Sequence, residues 1–321
     1  MDVVVIGSFN QDHVWNVDRF PHEGETRPGR FSTGPGGKGF NQAVACHRLG
    51  VKTVFVGALG DDALGAHARE LARSEGMAAD FETTAEATGS ACVLVDARGQ
   101  NQIVVGLGAN LAMSEAFIAG QAARIMSAKV LLLQLEIALP AVQAAIALAR
   151  QAPALAVLNP APLVEGLGPD LLRDIDVLTP NEHEFRQLLK QAYGWPVRED
   201  FDHLGDEELH ALCRKTGIPT VVLTLGARGA FVSHVEGHRR GDAELYYRVP
   251  GQGVQAVDTT GAGDAFNGGL AAGLVRYALG RPFRAAVEHA NRVAAVAVQH
   301  AGAATAMPTA AAVKAYFAER S

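Results

Sequence analysis

Short runs of uninterrupted apolar residues alternate along the chain with longer stretches whose apolar positions recur at helical spacing. Val3–Ile6 is the first such run, and others fall at 53–58, 130–134, 156–158, 177–179 and 220–224. Runs without a polar face are what central strands of a parallel sheet carry when both faces are covered. Between them the pattern predicts helices over 41–49, 63–75, 114–125, 139–149, 264–279 and 283–299, so strand, helix and strand should follow in right-handed crossovers. Later strands are expected at 230–233 and 245–249, joined by a charged hairpin loop over 234–244. Over 13–33 the alternation breaks into short apolar pieces divided by Pro21, Gly24, Pro28 and Gly29, which reads as a small β-appendage. Two further strands are expected at 90–96 and 102–106, and 191–205 reads as a surface insertion without chemistry.

The candidate chemistry centres on residues 257–270, VDTTGAGDAFNGGL. They read as an apolar strand end (Val254, Ala256, Val257), a turn of small residues, and Asp264 opening a long helix. A helix start leaves backbone N–H groups without intrahelical acceptors, and Gly261, Ala262 and Gly263 have no bulk to keep a ligand away. The turn is therefore a candidate anion hole. Asp264 at its mouth would be kept ionised by the helix dipole, and an ionised acid beside a phosphate cradle suggests phosphoryl transfer. The same residues also describe a plain strand-to-helix turn with an Asp cap, and on this stretch alone the two readings stand even.

Elsewhere the polar residues that follow predicted strands are the candidates, because open α/β sheets place ligands at strand carboxyl ends. Asn10 and Asp12 follow the first strand and can address hydroxyls, or form an Asx-rich turn. Glu136 follows the strand at 130–134. Asn181 and Glu184, spaced N-x-x-E, make a good helix cap. A second Gly-rich stretch, GPGGKGFN at 34–41, contains the letters of a dinucleotide fingerprint, but no apolar strand precedes it. It is not a P-loop either, since Gly39 stands where Ser or Thr is needed.

Composition narrows the field. The 321 residues show no linker or charge run that would divide them, which suggests one large domain over 1–321 with the appendage attached. A net charge of −6, with Arg239-Arg240 the best basic cluster, argues against nucleic-acid or membrane-surface partners. Cys46, Cys92 and Cys213 have neither disulfide-framework nor zinc spacing. With no signal-peptide pattern and no apolar run of membrane-spanning length, a cytoplasmic protein is expected.

Together the two Gly-rich stretches resemble the paired signatures of the ribokinase-like (PfkB) sugar kinases, and further matches run the length of the chain. The resemblance implies an α/β three-layer sandwich with a central, mostly parallel sheet. A small β-sheet lid, formed from about 13–33 and about 90–106, would cover the sugar and pair two lids in a homodimer. It implies a sugar site of Asn10, Asp12, Gly37, Lys38, Asn41, Glu136 and Asp264. ATP would lie against Asn181, Thr224, Gly226, Arg228, Gly229, Gly263 and Asn291, with Mg2+ organised indirectly by Asn181 and Glu184. Asp258, Thr260, Ala297, His300, Gly302 and Ala306 match a potassium site, although Ala306 stands where Ser is expected and brings no hydroxyl. The implied reaction is ATP-dependent phosphorylation of a small sugar, D-ribose to D-ribose 5-phosphate foremost, with Asp264 as base and Gly261, Ala262 and Gly263 as anion hole. Another sugar or a nucleoside is the alternative acceptor, and a non-catalytic sugar or nucleotide sensor is a remote one.

Overall fold

The computed structural model describes residues 1–196, 201–277 and 282–319. Its chain runs β1 (Val3–Ile6), β2 (Asn10–Asn16), β3 (Arg30–Gly36), α1 (Lys38–Arg48), β4 (Thr53–Gly60), α2 (Ala63–Ser74), β5 (Ala78–Thr84), β6 (Ser90–Val95) and β7 (Asn101–Gly106). There follow α3 (Glu115–Gly120), α4 (Ala122–Met126), β8 (Val130–Leu133), α5 (Leu139–Ala149), β9 (Leu155–Leu158), α6 (Pro169–Arg173), β10 (Val177–Leu178), α7 (Glu182–Tyr193) and α8 (Asp206–Lys215). The last elements are β11 (Thr220–Thr224), β12 (Ala230–His234), β13 (Tyr246–Val249), α9 (Ala262–Tyr277), α10 (Phe283–Ala297) and α11 (Ala310–Ala318).

Nine strands form the main sheet in the order β13-β12-β11-β10-β9-β8-β1-β4-β5, all running one way except β12, which is antiparallel to its neighbours β11 and β13. β1 lies inside, with Val3 opposite Thr53 on one side and Val130 on the other. Because successive side chains of a strand face opposite ways, Val3 and Val5 join the core with α1, α9 and α10, while Val4 and Ile6 join the core with α5, α7 and α8. The result is helix, sheet, helix in three layers. Sequential βαβ crossovers bring the carboxyl ends of β1, β8, β9, β10 and β11 to one edge, where Ser8, Glu136, Asn159, Thr179 and Thr224 gather.

A second sheet, β3-β2-β6-β7, stands over that edge. Asn10 and Asp12 open β2 directly, in register with Gly36 and Gly34 of β3, so they sit on a lid strand and not in the Asx turn that the sequence also allowed.

Several expectations need correction. Residues 254–257 form no strand: Val257 is 69% exposed, and its N–H and that of Asp258 both donate to the Val298 carbonyl. The helix expected at 114–125 breaks between α3 and α4, where Gln121 leaves helical geometry and donates from its side chain to Asp80. The stretch at 191–205 is more than a surface insertion, because it completes α7 and buries Phe201 against Phe185, with ring centroids 6.1 Å apart; its residues 197–200 lie outside the described residues, as do 278 and 279 of the helix expected over 264–279. Four further elements, β5, α6, α8 and α11, were not anticipated.

Candidate active site

Asp264 lies in the first turn of α9 and is 6% exposed. Its Oδ2 accepts from Asn41 Nδ2 at 2.8 Å and its Oδ1 from Gln42 Nε2 at 2.9 Å, both donors on the first turn of α1. Burial pushes this carboxyl above the ordinary carboxylate range; the Lys38 ammonium and the two amide donors pull the other way. The helix dipole was expected to keep the group readily ionised, and desolvation is the stronger influence. For a proton acceptor this raises basicity.

The turn before α9 is open as a donor surface, though not as drawn from sequence. Gly261 takes φ 73°, a left-handed backbone that suits glycine. The Ala262 N–H is used internally, donating to Thr259 O at 3.1 Å. Among the described residues the N–H groups of Gly261, Gly263 and Asp264 donate to no protein acceptor, and so the anion cradle runs over 261, 263 and 264. Across from it a polar cavity of about 180 Å³ is lined by Lys38, Asn181, Glu184 and Thr224 as well as by this turn.

Lys38 sits between three acids. Burial works against its charge, but the fields of Asp264, Glu136 and Glu184 outweigh that and raise its pKa. Glu136 is fixed by the Ser8 hydroxyl and by the Lys38 backbone N–H, which donates to Oε2 at 3.0 Å. Gly37, at φ 88°, lets the chain pass under β2: a Cβ there would lie 2.7 Å from Asn10 N. The Asn10 Oδ1 accepts from Asn110 Nδ2 at 2.9 Å, and its own Nδ2 has no acceptor among the described residues. Asp12 differs from its neighbours, because its carboxylate meets no protein donor among the described residues. Burial, then the charges of Glu136 and Asp264, push it up to about 6. Asn10, Asp12, Gly37, Lys38, Asn41, Glu136 and Asp264 are thus brought together beneath the lid.

The nucleotide candidates divide. Asn181 caps α7 in a reciprocal box with Glu184, its N–H and Nδ2 each donating to the Glu184 carboxylate at 2.8 Å, and burial raises the Glu184 pKa. Thr224 closes β11, and Gly226 (φ 57°) and Gly229 (φ 92°) shape the next turn. Arg228 leaves that turn to pair with Glu182 at 2.5 Å. Asn291, on α10, donates to the Val249 and Pro250 carbonyls at 3.3 and 3.1 Å, so it braces the wall beside this turn. Asp258 accepts from Gly302 N and Thr260 N, both at 2.9 Å, and these bonds hold its pKa low despite burial. Ala297 ends α10 and its carbonyl accepts from His300 N, while Ala306 is buried in the segment that follows.

Sequence reasoning missed Gln42, Gln134, Asn159, Thr179 and Asn267, a buried chain of amides and one hydroxyl behind Asp264. Three of them offered a signal, because Gln134, Asn159 and Thr179 are the first polar residues after β8, β9 and β10, at the sheet edge where ligands collect.

Residues 1–310 match the model of the pfkB family carbohydrate kinases. The chain belongs to this family. The ribokinase of Haemophilus influenzae is 37% identical over 310 residues, covering 96% of this chain and 95% of its own. The ribokinase structure from Giardia lamblia superposes with a TM-score of 0.87 at 27% identity, covering 100% and 99% of the two chains. The Arabidopsis thaliana ribokinase, solved with ribose and ATP, gives 0.80 at 30% identity, covering 98% and 97%. The three-layer fold of this pfkB kinase and its second small sheet accord with those structures. Among the described residues, no helix is long and apolar enough to cross a membrane.

Proposed function

We propose that this protein transfers the γ-phosphoryl group of ATP to the 5-hydroxyl of D-ribose. The observation that carries the reading is a buried carboxylate, Asp264, held by two amide donors beside a cavity edged by the backbone N–H groups of Gly261, Gly263 and Asp264 itself, which donate to no acceptor among the described residues. A hydroxyl between them would give its proton to Asp264 while the transferred phosphoryl group is stabilised by Gly261, Gly263 and Asp264 N–H. Because the transition state is loose, the proton is needed late and moderate basicity suffices. Asp12, with an acceptor and no donor, and Asn10, with a free donor, suit the remaining sugar hydroxyls. The ribokinases named above support ribose as the acceptor.

Kinases of this kind use ATP with a divalent ion, and Mg2+ would be held by phosphate oxygens and water. Asn181 and Glu184 line the cavity and keep lone pairs free to orient that water. For potassium, the carbonyls of Thr260, His300 and Gly302 accept no hydrogen bond among the described residues, so they suit a cation beside Asp258 even though Ala306 adds no hydroxyl. Pairing of two lids would make the working form a homodimer, supported by the exposed apolar side chains of Phe31, Ile103, Val104 and Val105.

An ADP-release screen across pentoses, hexoses and nucleosides, with and without potassium, tests the substrate. Ribose should give the highest kcat/KM, and preference for another acceptor would replace it. Asp264→Asn should keep sugar and nucleotide binding and lower kcat by at least about 10²-fold; near-normal turnover would remove Asp264 from the role of base.

A further inference from the structure

Behind Asp264 the buried amides form a chain whose polarity is set at one end by the backbone. Thr179 follows β10, and its carbonyl oxygen can only accept, so the Asn159 atom 3.1 Å away is the amide nitrogen. That turns Asn159 Oδ1 toward Gln42, and the Gln42 atom 3.2 Å from it must be the donor Nε2. The same Nε2 lies 2.9 Å from Asp264 Oδ1. From the other side, Gln134 Nε2 donates to Gln42 Oε1 at 2.6 Å, which agrees with this orientation and holds the far end of the amide. Gln42 therefore cannot turn its oxygen to the carboxylate without breaking its bond to Asn159 and setting two amide oxygens against each other. Asn41, the other donor to Asp264, is different: its Oδ1 has no partner, so only Asp264 itself orients it.

We propose that Gln42 is the positioning residue of the phosphoryl-transfer site. Its amide N–H, locked through Asn159 to the Thr179 backbone carbonyl, fixes the orientation of the Asp264 carboxylate and favours its ionised form. The same threonine ties the base to the phosphate cradle: its hydroxyl donates to Asn267 Oδ1 at 2.5 Å, and Asn267 Nδ2 donates to Gly263 O at 2.8 Å. Base and cradle thus share one anchor on the sheet edge. Besides Gln42, the charged groups that bear on Asp264 are Lys38 on α1, Glu136 beyond β8, Asp12 on β2 and Glu184 on α7. Of these only Lys38 favours the ionised form, and the Asn41 and Gln42 amides add to its effect.

The catalytic half of this proposal rests on Asp264 being the base, and the test separates the two. Gln42→Met fills similar space without a donor. Losing a hydrogen bond to a charged acceptor should raise the acid limb of the kcat–pH profile by about 1 to 2 pH units. Turnover should fall roughly 10- to 100-fold at pH values below the acid limb and recover toward wild type as the pH rises above it, while sugar and ATP KM stay within about twofold. Packing damage alone would lower kcat equally at every pH, and that result would overturn the proposal. The second readout needs no turnover: 13C NMR of aspartate-labelled protein, with the Asp264 carboxyl assigned by its loss in Asp264→Asn. Its titration midpoint should rise by the same amount in Gln42→Met, and an unmoved midpoint would also overturn the proposal. Should Gln42→Met not fold, Asn159→Leu, which frees the Gln42 amide to rotate, should give a smaller rise in the same midpoint, and none would count against the lock. A raised midpoint together with normal turnover of Asp264→Asn would leave the electrostatic role of Gln42 standing and remove the base assignment.

Discussion

Asp12, proposed above as a sugar ligand, is held at a cost to the fold. Its carboxyl is pushed up to about 6 by burial and by the charges of Glu136 and Asp264. Folding therefore tightens its hold on a proton relative to the unfolded value of 3.8. The stability this gives is fully present below about 3.8 and is lost as pH rises through about 6. The displacement of about two units corresponds to roughly 3 kcal/mol, an upper figure because the group is partly exposed. Asp12→Asn should thus stabilise the sugar-free protein at pH 7 to 8, with the gain fading below pH 4, as thermal melts across that range would show. Identical melts for the two proteins at pH 8 would contradict the burial argument. The same change should weaken sugar binding about ten- to a hundredfold, the worth of a charge-assisted hydrogen bond, with ATP affinity nearly unchanged. The position of Asp12 near the carboxyl end of a buried strand was legible in the sequence, although an Asx-rich turn was an equally open reading of it there. Gln42 was not, since its meaning depends on Gln134, Asn159 and Asp264, which lie 92, 117 and 222 residues away.

Among the elements, α1 joins the most functions. Its first turn carries Lys38, Asn41 and Gln42, and at its far end Arg48 donates to the Ala304, Thr305 and Met307 carbonyls. Its approach to β1 is made by Gly39, where a Cβ would lie 2.5 Å from both Gly7 C and Ser8 N. Those are backbone atoms and cannot swing aside, so Gly39→Ala should cost about 1 to 3 kcal/mol as overpacking does. Because the helix must back away from Ser8 and β2, sugar affinity should fall further than ATP affinity, which calorimetry of both ligands would resolve; equal losses would mean that α1 is not a separable wall of the sugar site. Period and burial made the central strands legible, since VVVI or VLLL has little alternative to a two-faced strand. Other elements were hidden by the same logic. β5, AADFETT, is an edge strand with a mixed surface, and α8, DEELHALCRK, buries little beyond Leu209 and Cys213, so neither stands out in the apolar pattern. Conversely Val254, Ala256 and Val257 looked like a strand end, yet no neighbouring strand is there to pair with them.

At the scale of the whole molecule the lid is the part whose surface is least explained by one chain. Strand β7 is an edge with Ile103, Val104 and Val105 exposed at 53, 73 and 43%, and Phe31 across the sheet is 51% exposed. Their faces follow from register. Asp12 lies in line with Ala91 and Val105, whereas His13 lies in line with Cys92 and Val104, so Val104 and the Trp15–Phe31 pair belong to the face turned away from Asp12. An apolar edge strand and an apolar outer face on one small sheet are unusual on a monomer, because they invite association. Pairing of two lids would cover them, and it would steady Asn10 and Asp12, whose own strand is part of the same sheet. Val104→Glu is a suitable probe, since an already exposed side chain can be changed without disturbing a core. The wild-type protein should sediment at about twice the 33.7 kDa of the chain, and the variant at the monomer mass with an intact melt. If the lid is steadied by its partner, the variant should show a sugar KM raised several-fold and an ATP KM within about twofold, as expected when a preorganised site must be ordered by its ligand. A wild-type protein that sediments at 33.7 kDa across the micromolar range would instead leave the exposed lid to be explained within one chain.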